Sequence, residues 1–112
     1  MFQDPHWSLY TDHCSPCLSN YTYIVHLEKD KEEEAVLNIT GLQKLVPTTR
    51  LMNPTRGGSS EKYIEEFARN LSCDSLNGLY HRYWPDLLFF QYSMDKIFEY
   101  GDEGKGCEIN KV

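Results

Sequence analysis

The stretch EKYIEEFARNLSCDSLNGLYHRYWPDLLFFQY, residues 61–92, decides how this chain folds. Tyr63, Ile64, Phe67 and Leu71 recur at intervals of three and four, which predicts a helix from Glu61 to about Asn70 with that stripe buried. Ser59 or Ser60 supplies its cap. Asp74 and Ser75 offer the cap of a following helix that carries Leu76, Leu79, Tyr80 and Tyr83. Pro85 fits the first turn of a further helix running to Phe90 or Tyr92, where its missing N–H costs nothing. Nothing in the stretch alternates as a strand would, so this half of the chain is helical.

Upstream, residues 46–60 carry Pro47, Pro54, Gly57 and Gly58 and read as a long loop with Arg50 and Arg56 as its cations. A helix is predicted from about Asp30 to Lys44, its acidic first turns facing the positive end of the helix dipole, although Gly41 weakens it. The β-branched and aromatic run from Tyr21 to Leu27 predicts one short strand. Residues 1–20 have no sustained period and read as an ordered loop packed through Trp7 and Tyr10. Past Tyr100 the chain turns to glycine and charge, so 101–112 reads as a flexible tail behind a single unit spanning 1–100.

Lysine and arginine total 11 against 17 acidic residues, a net charge of −6. That balance argues against holding nucleic acid through its phosphates. No stretch approaches the roughly 20 apolar residues a bilayer requires. Asn20, Asn38 and Asn70 each open an Asn-x-Ser/Thr acceptor triplet for glycosylation, whereas Pro54 spoils the one at Asn53. With Cys14, Cys17, Cys73 and Cys107 they suggest a glycoprotein of the secretory lumen.

Several separated motifs share an order. They are Asp4-Pro5-His6-Trp7, Cys14-Ser15-Pro16-Cys17, Tyr21 to Val25 with Glu28, Pro47 with Thr55-Arg56, Phe67 to Ser72, Leu79-Tyr80, and Tyr83 to Asp86 with Phe90, Tyr92 and Ser93. Together, over roughly residues 4–98, they resemble the carboxy-terminal portion of the carbohydrate sulfotransferases that include chondroitin 4-sulfotransferase. Thr22, Val25 and His26 depart from that pattern, where Asp, Gly and often Lys are usual.

The resemblance implies an α/β fold of the P-loop sulfotransferase type, of which this chain would be the mostly helical carboxy-terminal portion with one short strand. It also implies a Golgi membrane enzyme with a lumenal catalytic part, held by an amino-terminal anchor missing from this sequence. The implied reaction moves a sulfuryl group from 3′-phosphoadenosine-5′-phosphosulfate (PAPS) to a hydroxyl of a glycan or glycosaminoglycan such as chondroitin, with no metal. The family's donor site joins a strand–loop–helix phosphate cradle to a second basic segment. Neither is found here, because Gly57-Gly58 follows a loop and lacks a nearby Lys-Ser/Thr pair. No donor-binding residue is therefore assigned, and the isolated chain is expected to be inactive.

His6 is a candidate for deprotonating or positioning the acceptor hydroxyl, against the plainer reading of a packing histidine. Arg50 and Arg56 are candidates for holding acidic groups of the acceptor, against ordinary surface charge. Cys14-x-x-Cys17 reads first as a structural thiol pair or disulfide. A redox pair would precede a helix after a buried strand, and a zinc site wants a second ligand pair. Cys73 and Cys107 are left to pair with each other or elsewhere. The alternative to a transferase is a non-catalytic lumenal module that only contacts glycan.

Overall fold

The computed structural model describes residues 4–45 and 61–112, which form two units, 4–19 with 61–112 and 20–45. Among them the elements are α1 (Tyr10–Cys14), α2 (Asp30–Thr40), α3 (Glu61–Arg69), α4 (Cys73–Phe89) and α5 (Asp95–Gly104). Short 3₁₀ turns lie at Pro5–Trp7 and Leu42–Lys44. None of these helices is long and apolar enough to cross a membrane.

In the smaller unit, the strand expected over Tyr21–Leu27 does not form, and no strand occurs among the described residues. A strand needs a neighbouring strand for its backbone groups, and none occurs among the described residues. Instead Glu32, in the first turn of α2, reaches back to the His26 backbone N–H at 3.1 Å and ring Nδ1 at 2.8 Å. Lys29 Nζ approaches the other carboxylate oxygen at 3.3 Å. The hydrogen bond from the His26 ring, then that from its backbone, pulls the Glu32 carboxyl down to about 2. Gly41, at φ +74°, adopts the left-handed conformation that ends a helix, so α2 stops at Thr40 rather than running to Lys44.

The larger unit is built on α4. Ser72 is its cap, accepting from the Ser75 N–H at 3.2 Å, so the helix begins earlier than Asp74 and Ser75 suggested. It also runs unbroken through Pro85 instead of restarting there. An interior proline costs about 3 kcal/mol. The anchors on Tyr83 and Asp86, which lie either side of Pro85, hold one helix across it.

The core is small: Ala68, Leu76 and Phe98, at 2 %, 0 % and 1 % exposure, are the buried apolar side chains among the described residues. On α3 it is Ala68 that goes inside. Phe67 stays 66 % exposed, while Tyr63 and Leu71 are half-buried, so the predicted stripe is only partly covered. The Tyr80 ring stands edge-on to Phe98 at 6.3 Å. Gly101 is buried against the same layer, where an added Cβ would lie 2.4 Å from Leu76 Cδ1 and 3.0 Å from Cys107 Sγ. Only glycine lets α5 approach so closely.

Residues 101–112, expected to be a flexible tail, are fastened to α4. Cys107 is bonded to Cys73, 34 residues away. Asn77 Nδ2 donates to Glu108 O at 3.0 Å, and Asn77 Oδ1 accepts from Asn110 N–H at 2.7 Å. His81 Nε2 meets Asn110 O at 2.6 Å. Glycine and charge signalled disorder, but Cys73, Asn77 and His81 share one face of α4 and hold the segment there.

Candidate functional site

Leu9, the residue before α1, provides no side-chain cap. Asp86 on α4 takes that role from 76 positions away: its Oδ2 accepts from Tyr10 N–H at 2.8 Å and its Oδ1 from Thr11 N–H at 2.9 Å. Both oxygens are committed, which is how a carboxylate only 8 % exposed is satisfied. One turn earlier, Tyr83 Oη donates to Trp7 O at 2.7 Å, joined by Arg82 Nη2 at 3.3 Å. The Arg82 guanidinium also sits 5.6 Å from the Tyr83 ring centre. Tyr10 meets Phe90 edge-on at 6.4 Å.

The leading loop is thus hung on α4 by its backbone, not by burying Trp7 and Tyr10, which remain 66 % and 70 % exposed. Polar groups of α4 satisfy the turn's carbonyl and the helix's first N–H groups, so the rings need not enter the core. Sequence reasoning gave Asp86 no role. The signal was there: Asp86 is the lone acid in the otherwise uncharged run from Tyr83 to Phe90.

What this docking presents is His6. Asp4 Oδ1 accepts from the His6 backbone N–H at 2.9 Å and meets His6 Nδ1 at 2.6 Å. The backbone bond foremost, then the ring bond, lowers the Asp4 carboxyl below its usual range. An ionised carboxylate accepts, so Nδ1 carries a proton, and in the neutral ring the lone pair is then on Nε2. The His6 side chain is 86 % exposed, which leaves that lone pair open to an incoming hydroxyl. Nearby, Ser8 Oγ donates to Pro5 O at 2.7 Å and so accepts from His13 Nε2 at 2.5 Å.

Cys14 and Cys17 are not joined; both are exposed thiols, and the disulfide is between Cys73 and Cys107. Ser15, at φ +44°, ends α1 between them in a left-handed turn. Asn20, Asn38 and Asn70 are all exposed, with Asn20 in a loop, Asn38 on α2 and Asn70 after α3, where its Nδ2 donates to Glu66 O at 2.9 Å. Arg50 and Arg56 lie outside the described residues. No group of three or more His, Cys, Asp or Glu side chains among the described residues is placed to hold a metal ion.

A family model described as the sulfotransferase family matches residues 1–93, and the chain belongs to that family. The match takes in the leading loop and all of α4, the two segments that Tyr83 and Asp86 tie together. No curated protein and no solved structure matches the chain. The family generally uses PAPS as sulfuryl donor. Among the described residues no strand leads into a phosphate-binding loop, and no donor contact is assigned to them.

Proposed function

We propose that this chain is the acceptor-side, carboxy-terminal portion of a carbohydrate sulfotransferase of the chondroitin 4-sulfotransferase type. It works in the Golgi lumen on a glycan or glycosaminoglycan hydroxyl, with residues 1–100 as part of the transferase domain. The donor is PAPS, held mainly by segments other than those described. The Cys73–Cys107 bond supports an oxidising compartment. Arg50 and Arg56 remain the candidate contacts for acidic groups of the acceptor, and Asn20, Asn38 and Asn70 the candidate glycan carriers.

The observation that carries the reading is the Asp4–His6 pair on a loop fixed to α4. Asp4 fixes the tautomer, and His6 Nε2 takes the proton as the sugar oxygen bonds to sulfur and the adenosine bisphosphate leaves with the electrons of the broken S–O bond. A positioned base of this kind contributes about 10² to 10⁴-fold.

The test joins these residues to a donor-binding half and follows sulfate transfer from PAPS. His6→Gln is expected to lower kcat by about 10²-fold or more, with Asp4→Asn weaker and altering the acidic limb of the pH profile. An unchanged kcat and pH profile in His6→Gln would remove His6 from the mechanism.

A further inference from the structure

At the end of α4 lies a cleft of about 540 Å³, lined by Tyr80, Trp84, Leu88, Gln91, Tyr92 and Ser93 among others. None of the side chains lining it is charged. In a chain of net charge −6 the cleft therefore offers no cationic side chain to a carboxylate- or sulfate-bearing ligand. Its walls are aromatic and aliphatic: Trp84 and Leu88 stand one turn apart on α4, 37 % and 69 % exposed, and Tyr80 is braced edge-on against buried Phe98.

The cleft is not simply greasy. Tyr80 Oη, Trp84 Nε1 and the Gln91 carboxamide make no hydrogen bond among the described residues. Ser93 Oγ accepts from Asp95 N–H at 3.0 Å, which leaves its O–H to donate. Donors and acceptors set around apolar ring faces match a pyranose, which carries hydroxyls on its rim and C–H groups on its faces.

A second observation concerns Gln91. Tyr92 N–H donates to Leu87 O and Phe90 N–H to Asp86 O, both at 2.9 Å, the closing pattern of a helix whose next residue is left-handed. Glycine is the usual occupant of that position, yet here it is glutamine at φ +58°. A residue that keeps a strained backbone while presenting an unpaired amide to a cleft is what a ligand contact requires.

We infer that the Tyr80–Trp84–Gln91–Tyr92 cleft binds an uncharged sugar unit, with the rings stacking on the pyranose faces and the Gln91 amide and Ser93 hydroxyl reading its rim. The inference rests on the sulfotransferase reading in making that sugar part of the acceptor, but binding itself requires no donor and no transfer.

The experiment therefore uses the 112-residue chain without donor. N,N′,N″-Triacetylchitotriose (below, chitotriose), which is uncharged, and trigalacturonate, which carries a carboxylate on every ring, are titrated against it by protein-observed NMR. Anilinonaphthalene sulfonate serves as an apolar probe. Chitotriose is expected to shift the Trp84 indole N–H and Gln91 side-chain signals, with trigalacturonate at least about tenfold weaker. Gln91→Gly is the decisive variant. It relieves the backbone, so the melting temperature rises, while chitotriose affinity falls several-fold. Affinity unchanged in Gln91→Gly overturns the inference, as does equal binding of trigalacturonate. Binding of the dye alone would also overturn it and mark the cleft as a packing face for polypeptide. Failure of sulfate transfer in a donor-bearing protein, with chitotriose binding intact, would count against the enzyme reading and not against the cleft.

Discussion

Replacing Asp86 by asparagine should undock the leading loop from α4. The carboxylate accepts two part-buried N–H groups, at 2.8 and 2.9 Å, and a hydrogen bond to a charged group contributes about 1.5–3 kcal/mol. Asparagine keeps one acceptor oxygen and turns an NH₂ toward the other N–H. One bond is lost, one donor faces a donor, and the small charge–dipole contribution at α1 disappears. The expected cost is about 2–4 kcal/mol. It should appear locally: amide exchange at Tyr10 and Thr11 speeds up by about 10¹·⁵ to 10³, while the α3–α5 core keeps its protection. Denaturant titration of the whole chain then moves less than the local value. Tyr83→Phe, which removes only the 2.7 Å bond to Trp7 O, serves as a milder partner at about 1 kcal/mol. Unchanged exchange at Tyr10 and Thr11 in Asp86→Asn would refute the assignment of Asp86 as the distant cap.

Other outcomes follow from the same geometry. Cys107→Ser opens a loop of 34 residues' separation and should cost about 2–4 kcal/mol in urea unfolding, with loss of exchange protection at Asn110; no shift in the midpoint would count against the bond. Glu32 has its folded value pulled from 4.5 to about 2. Its contribution is therefore complete above about 4.5 and is lost as pH falls through about 2. Carboxyl-detected NMR should place that titration near 2 and, in His26→Gln, nearer the ordinary value.

The helices of residues 61–92 were readable because apolar spacing reports local geometry directly, and the structure places α3 and α4 there. What failed did so for reasons spacing cannot carry. Tyr21–Leu27 has the composition of a strand, but no second strand stands among the described residues to pair with it. Pro85 looks like a first-turn proline, yet one helix anchored at Tyr83 and Asp86 runs through it. α5 escaped notice, because Ile97 and Phe98 are too few apolar residues to announce a helix before an acidic, glycine-rich run. The tail was misread for the same reason, its order coming from a disulfide and from Asn77 and His81. Of the candidate site, His6 was legible as a residue type beside Trp7, whereas its orientation by Asp4 and the anchoring by Asp86 depend on contacts that only folding creates.

Cys73, Asn77 and His81 recur every fourth residue along α4, and each grips a successive part of 107–110. Asn77 offers an amide and a carbonyl where a neighbouring strand would offer its backbone, so the chain end is read in helical register. Rotating α4 by a single residue would swing all of these grips away from the tail together, which makes the terminus a built-in gauge of whether the central helix is wound correctly.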